Sequence, residues 1–536
     1  MKRLFSLIAC AALAAAASRY PGSAEPQDRV RIGILQQPNS LNPLVESQFF
    51  ENYIDEALFS GLTVLDDRGR VQPDLATAVP SLQNGGVSPD GKTIVYHLRP
   101  GAKWQDGAPV TADDVAFTFA KMRDPKVPFA SSTDYRDVID VVAKDPLTVV
   151  LHLRAPFADF ASTFFVNGQF GSIVPKHILE RAADMRTDPF GQHPVGSGPY
   201  VLERWDRGSS VVLKANPLYF RGKPPIEHIE IKLLGDSNSL AIGMRTGEID
   251  MTPELSPTTL ALVANVPRLR VVDVPTIILN GLTFRTDAGP FSDVRLRRAF
   301  SMAVDPARIV QTAYHGKAIP ARDLIPPWSP FYTPAFPAAP DTAAAQNLLD
   351  AAGWKPGPGG IRIKNGQRLS VSLTIPTERT ENRAAAVELQ AMWRAIGAET
   401  TLRASPVNTL LGPDGLYARG RFEIGMNNEG FATSPNRNND IITSSIPPRG
   451  LNYSRYSSPA VDALVEAGEV TLDPAKRRAI FSHIARLVAA DVPLRPYCWR
   501  TAPYAVIRNL ENFKPEPVNS DLWNVYEWRL GRLPSG

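Results

Sequence analysis

The sequence predicts an α/β fold assembled from more than one domain, on three observations. With 536 residues and 43% hydrophobic content, the chain can form two or three domains of roughly 100–200 residues each. Stretches with strand-like alternation are followed by stretches with helical spacing, as where residues 369–375 precede residues 384–396. Such alternation specifies strands covered by helices. The 49 Pro and 37 Gly are scattered along the chain, so the connections between elements are short and tight.

The N-terminus reads as an export signal. Lys2 and Arg3 precede an apolar run over residues 4–17 interrupted by Ser6, and Gly22-Ser23-Ala24 offers a small-x-small cleavage site before Glu25. The run is too short to span a membrane as a helix. A competing reading takes Leu7-Ile8-Ala9-Cys10 as a lipoprotein box with Cys10 carrying lipid; the apolar stretch before Cys10 is short for that, and Ala-rich sequence continues after it. No later segment reaches about 18 consecutive apolar residues, so the mature chain is predicted to be soluble in the periplasm. Loss of residues 1–24 removes Lys2, Arg3 and Arg19 and no acid, so the formal charge falls from +4 to +1. A nearly balanced charge gives no footprint for nucleic acid.

Chemistry-bearing patterns are scarce. The histidines at 97, 152, 177, 193, 228, 315 and 483 never fall at metal-ligand spacing, and neither HExxH nor CxxC occurs. Gly196-Ser197-Gly198 lacks the spacing of a nucleophile elbow. The mature chain retains one cysteine, Cys498, read as a packed core thiol in preference to a nucleophile. No catalytic set, metal site or cofactor is predicted.

The most informative stretch is YHLRPGAKWQDGAPVTADDVAFTF, residues 96–119. Ile94, Tyr96 and Leu98 alternate with Val95 and His97, a strand with one apolar face. Pro100-Gly101 ends the strand, and Asp106-Gly107 makes a second turn. Thr111 and Asp114 then match a capping box, followed by Val115, Phe119 and Met122 on a core-facing helical stripe. The acids are therefore caps and turn formers, and Trp104 is a packing anchor, with a ligand platform as the alternative. TVVLHLR at 148–154 echoes TIVYHLR at 93–99, which points to two similar neighbouring strands. A helix over 384–396 with Val387, Met392, Trp393 and Ile396 on its apolar face ends at Gly397.

The strand, turn and capped helix resemble the signature segment of the family 5 extracellular solute-binding proteins, the dipeptide and oligopeptide receptors of ABC importers. Further matches follow in order: Leu41-Asn42-Pro43, Phe59-Ser60-Gly61-Leu62, Gln72-Pro73-Asp74-Leu75-Ala76, and Pro194-Val195-Gly196-Ser197-Gly198-Pro199-Tyr200 with Asn216-Pro217. Phe291-Ser292-Asp293-Val294-Arg295, Leu348-Leu349-Asp350-Ala351-Ala352-Gly353-Trp354 and Tyr456-Ser457-Ser458-Pro459 extend the resemblance over nearly the whole mature chain. It implies a two-lobed fold like the type II periplasmic binding proteins, with an extra subdomain in the first lobe. The expected layout is a signal over 1–24, lobe I over 25–280 with an insert at about 77–195, lobe II over 281–500, and a return to lobe I over 501–536.

The resemblance also implies a ligand site in the inter-lobe cleft. Ser47, Gln48 and Phe49 would face it from the first lobe, with Phe129. Phe431, Ala432 and Ser434 would face it from the second, where relatives carry Trp-x-x-Asp. That Asp pairs with a peptide's ammonium, and Ser434 offers no charge. Glu429 is a substitute, with a solvent-facing role as its alternative, and Arg379 or Arg383 would hold a ligand carboxylate. The implied function is a monomeric periplasmic receptor that captures a peptide-like solute by lobe closure and delivers it to inner-membrane permease subunits. A non-peptide solute, such as a sugar conjugate, an opine-like compound or another amide, is the runner-up, and a secreted hydrolase the remote alternative.

Overall fold

The computed structural model describes residues 28–45, 49–129, 135–168, 171–253, 255–378, 380–412, 414–430, 440–516 and 521–532. Among these, one large sheet runs through the molecule. Its strand order is Glu399–Ser405, Ser370–Pro376, Ile424–Gly430, Leu269–Phe284, Leu494–Ile507, Met251–Thr252, Arg29–Ile34, His228–Leu233, Ser210–Ala215 and Tyr200–Asp206. The long central strands Leu269–Phe284 and Leu494–Ile507 run antiparallel to each other and serve both lobes.

Their pairing is interrupted once at a level that matters. Leu269 to Pro275 pair in step with Ile507 to Thr501, and regular pairing resumes only at Leu279 with Trp499. The buried apolar residues divide at the same level. Leu269, Val274, Ala502 and Tyr504 belong to one core, while Leu279, Leu282, Tyr497 and Trp499 belong to another. Each lobe thus buries its own core, and between them the two long strands shift register, with a second shift between Asn280 and Gly281.

Within the first lobe, Thr93–His97, Thr148–Leu153 and Val138–Asp145 form a separate three-stranded sheet. The two echoing heptapeptides are neighbours, paired antiparallel from Thr93 with His152 to His97 with Thr148. Ile94, Tyr96 and Leu98 are buried as the alternation requires. The helix Ala112–Met122 buries Val115, Phe119 and Met122, and the Asp114 carboxylate accepts from the Thr111 N–H at 2.8 Å and the Thr111 hydroxyl at 3.1 Å. Trp104 is fully buried and its indole N–H donates to Asp114 at 3.3 Å, which makes it the packing anchor expected.

One helical stripe differs from expectation. The helix Thr380–Ala395 buries Ala385, Ala386, Leu389, Met392 and Trp393, whereas Val387 is 51% exposed. At about 100° per residue Val387 lies roughly 200° from Leu389 and faces outward. The predicted stop holds: Gly397 takes a φ of +88°, the left-handed geometry that favours glycine just past a helix end.

Candidate ligand site

The family-like motifs dock on one another in the first lobe. The Gln105 side chain donates to the carbonyls of Leu58 (3.1 Å) and Tyr200 (2.6 Å) and accepts from the Gly196 N–H at 3.0 Å. The Gly198 N–H donates to the Leu58 carbonyl at 2.9 Å. A Cβ on Gly196 would collide with that same carbonyl oxygen, so glycine is needed for the close approach of two backbones. Asn216 completes the joint by donating to the Gly198 carbonyl at 2.8 Å. Ser197 is wholly buried. The Gly-Ser-Gly element is therefore a packing joint behind the end of the helix Phe49–Leu58.

The sequence-derived site residues fare unevenly. Ser47, Gln48, Arg379, Phe431, Ala432 and Ser434 lie outside the described residues. Phe49 opens the helix Phe49–Leu58. Arg383 is exposed in the first turn of the helix Thr380–Ala395. Glu429 lies in the strand Ile424–Gly430, paired in register with Leu279, and Gly430 pairs with Ile278. Phe129 is 5% exposed and stands edge-on to Tyr135, with ring centroids 6.0 Å apart, in the aromatic core of the first lobe.

In the long strand paired with Ile424–Gly430 the structure gathers a polar group that pattern reading missed. Asn280 is fully buried, registered with both Asn428 and Cys498. Its amide donates to the Tyr314 hydroxyl at 2.7 Å and lies 3.8 Å from the Cys498 sulfur. Its carbonyl oxygen has no partner among the described residues, and a buried acceptor left so costs about 1–3 kcal/mol unless water or ligand supplies a donor. Burial pushes the Tyr314 and Tyr497 hydroxyls above their ordinary values, each raised further by the neighbouring Cys498. It pushes the Cys498 thiol up to about 12. All three groups are therefore neutral near pH 7. Trp328 and Trp499 add an edge-to-face pair at 5.8 Å. The available signal was Asn280 within the apolar run TIILNGLTF. A polar residue in a buried strand carries weight only once its neighbours are known.

No three His, Cys, Asp or Glu side chains among the described residues converge as a metal site, and none of the described helices is long and apolar enough to cross a membrane. Residues 70–444 match the model of the bacterial extracellular solute-binding proteins, family 5, middle region. The chain belongs to this family. Protein XP55 of Streptomyces lividans is 30% identical over 485 residues, 88% of this chain and 83% of that protein. The oligopeptide-binding protein AppA of Bacillus subtilis is 26% identical over 530 residues, 96% of this chain and 94% of its own. AppA's structure in complex with a nonapeptide superposes with a TM-score of 0.65 at 25% identity, covering 94% of this chain and 99% of that one. The substrate-binding protein CtaP of Listeria monocytogenes gives 0.78 at 25% identity, with the same coverage. This solute-binding protein has the two-lobed architecture of the type II periplasmic binding proteins.

Proposed function

We propose that this solute-binding protein captures a peptide-like solute between its lobes in the periplasm and passes it, chemically unchanged, to the permease subunits of an ABC importer. The observation that carries the reading is the break in pairing between Pro275 and Leu279, set between two separate cores. A joint of two strands lets each lobe move as a body, so that a ligand touching both drives closure through its higher affinity for the closed state. In this reading the lobes divide near Asn280 and Thr501. Ser47, Gln48 and Phe49 meet the ligand from one side, and Glu429, Phe431, Ala432 and Ser434 from the other, with Arg379 or Arg383 for a carboxylate. AppA's nonapeptide complex supports a peptide-like solute, because an extended backbone offers the same donors and acceptors whatever its side chains.

A second reading, a ligand whose amino end is neutral or blocked, is favoured by Ser434 standing where the resemblance implies an Asp. Native mass spectrometry of the protein from its own host tests both readings. A co-purified peptide supports the first, a blocked or non-peptide amide the second, and a ligand converted to product on incubation overturns the receptor role altogether.

A further inference from the structure

The lobes meet again away from the shared strands. Between the second-lobe helices Pro459–Val470 and Pro474–Asp491, Leu472 reaches across to the core of the first lobe, lying with Pro156 over Gly91. The Ala158 N–H donates to the Glu469 carbonyl at 2.7 Å. Beside this contact Arg477 and Asp159, 318 residues apart, form an ion pair at 2.6 Å in which each side chain is only 7% exposed.

Each partner belongs firmly to its own lobe. Asp159 precedes the short helix Phe160–Thr163, whose Phe160 and Ala161 sit in the first core. The Arg477 guanidinium lies 4.9 Å from the Phe331 ring and 5.4 Å from the Phe481 ring, and its Nε donates to the Gly468 carbonyl at 3.0 Å. Both rings pack in the second lobe. Arg477 is thus held ready by its own lobe to meet a carboxylate presented by the other.

We propose that Asp159 and Arg477 form a latch that holds the two lobes in the arrangement of this structure and breaks when they rotate apart. The proposal rests on the reading that the lobes move. A buried ion pair is a poor general stabiliser, because desolvation offsets the attraction between its charges, but removing one partner strands the other as an uncompensated buried charge. Across a moving interface that asymmetry becomes a switch. With both charges present the contact is tolerated, with one it is opposed, and when the lobes part each charge regains water. Replacing both with apolar side chains removes the stranded charge, so the double variant is expected to lose less of this arrangement than either single one.

The test is a distance measurement on the full-length protein, freed of co-purified solute by unfolding and refolding. Spin labels are attached at Gln83→Cys in the first lobe and Arg486→Cys in the second, both exposed, in a Cys10→Ser background, while buried Cys498 stays unlabelled in the folded protein. Pulsed dipolar spectroscopy then reads the inter-lobe distribution. Asp159→Asn and Arg477→Met should each shift the population ratio at least tenfold away from the distance of this structure, and Asp159→Leu with Arg477→Met should shift it less than either. Single variants that keep the parent distribution, while the parent itself populates two distances, would overturn the latch and leave lobe motion intact. One unchanging distance in every protein, with and without a peptide panel, would overturn both.

Discussion

Asp114 gives the sharpest test of whether the acids of the 96–119 stretch build structure. Its carboxylate is 4% exposed and accepts from the Thr111 N–H at 2.8 Å, the Lys176 N–H at 2.9 Å and the Trp104 indole at 3.3 Å, besides the Thr111 hydroxyl. Asp114→Ala orphans three N–H donors, while the hydroxyl can turn elsewhere. At about 1–3 kcal/mol per orphaned buried donor, with entering water relieving part of the cost, the loss should be about 3–5 kcal/mol. Urea unfolding followed by tryptophan fluorescence reads it, with attention to the first transition, because two lobes need not unfold together. Asp113→Ala is the internal control: Asp113 is exposed, pairs with Lys176 at 3.4 Å, and should barely move the midpoint. An Asp114→Ala protein as stable as Asp113→Ala would refute the capping argument. Loss of solute affinity at temperatures where the variant remains fully folded would instead give the acid a role in the ligand site.

Three further outcomes follow from the same structure. Burial raises the Asp323 carboxyl to about 7 against an ordinary 3.8, outweighing hydrogen bonds from the Thr333, Leu324 and Ile325 N–H groups. Below pH 4 both states hold the proton; between about pH 4 and 7 the unfolded chain releases it first, so stability falls as pH rises, by a total on the order of 4 kcal/mol. Asp323→Asn should flatten that part of the stability–pH curve relative to the parent, and parallel curves would count against the burial argument. Cys498, buried and raised to about 12, should resist a thiol reagent at pH 8 in the folded protein and react promptly in urea; immediate labelling of the folded protein would contradict its packing. Ser434→Asp should improve binding of peptides with a free amino terminus by about 30-fold or more and leave N-acetylated peptides unchanged, as calorimetry would read, since an uncompensated ammonium in such a site costs about 2–5 kcal/mol. Tight binding of free dipeptides by the parent, abolished by Glu429→Gln, would move the amine partner to Glu429.

What was legible in the sequence was local. The buried faces of the 93–98 strand and the 112–122 helix follow from periods of 2 and 3.6 within about ten residues, the Thr111–Asp114 cap from residue types at a fixed spacing, and the adjacency of the two heptapeptides from their likeness to each other. Val387 shows the limit of the same rule: an apolar side chain on an otherwise patterned helix need not face the core. The pairing of residues 269–284 with 494–507 was not written in any local pattern, and neither was the placement of Asn280 against Tyr314 and Cys498. The Asp159–Arg477 pair, 318 residues apart, is farther still from anything a periodicity can report.

The candidate site was the least legible part for a physical reason. Ser47, Gln48, Arg379, Phe431, Ala432 and Ser434 rest on the family resemblance and lie outside the described residues, and no period of 2 or 3.6 marks a side chain that meets a ligand. The strand Ile424–Gly430 itself is fixed by its pairing with the long strand, Gly430 in register with Ile278. A family resemblance can therefore carry the scaffold intact while the ligand changes. In the proposed reading, Ser434 in place of a carboxylate removes the charge that would compensate a peptide's ammonium. Scaffold and specificity are thus separable by experiment: Ser434→Asp should change which solutes bind without moving the unfolding midpoint, whereas Asp114→Ala should move the midpoint without changing which solutes the folded protein prefers.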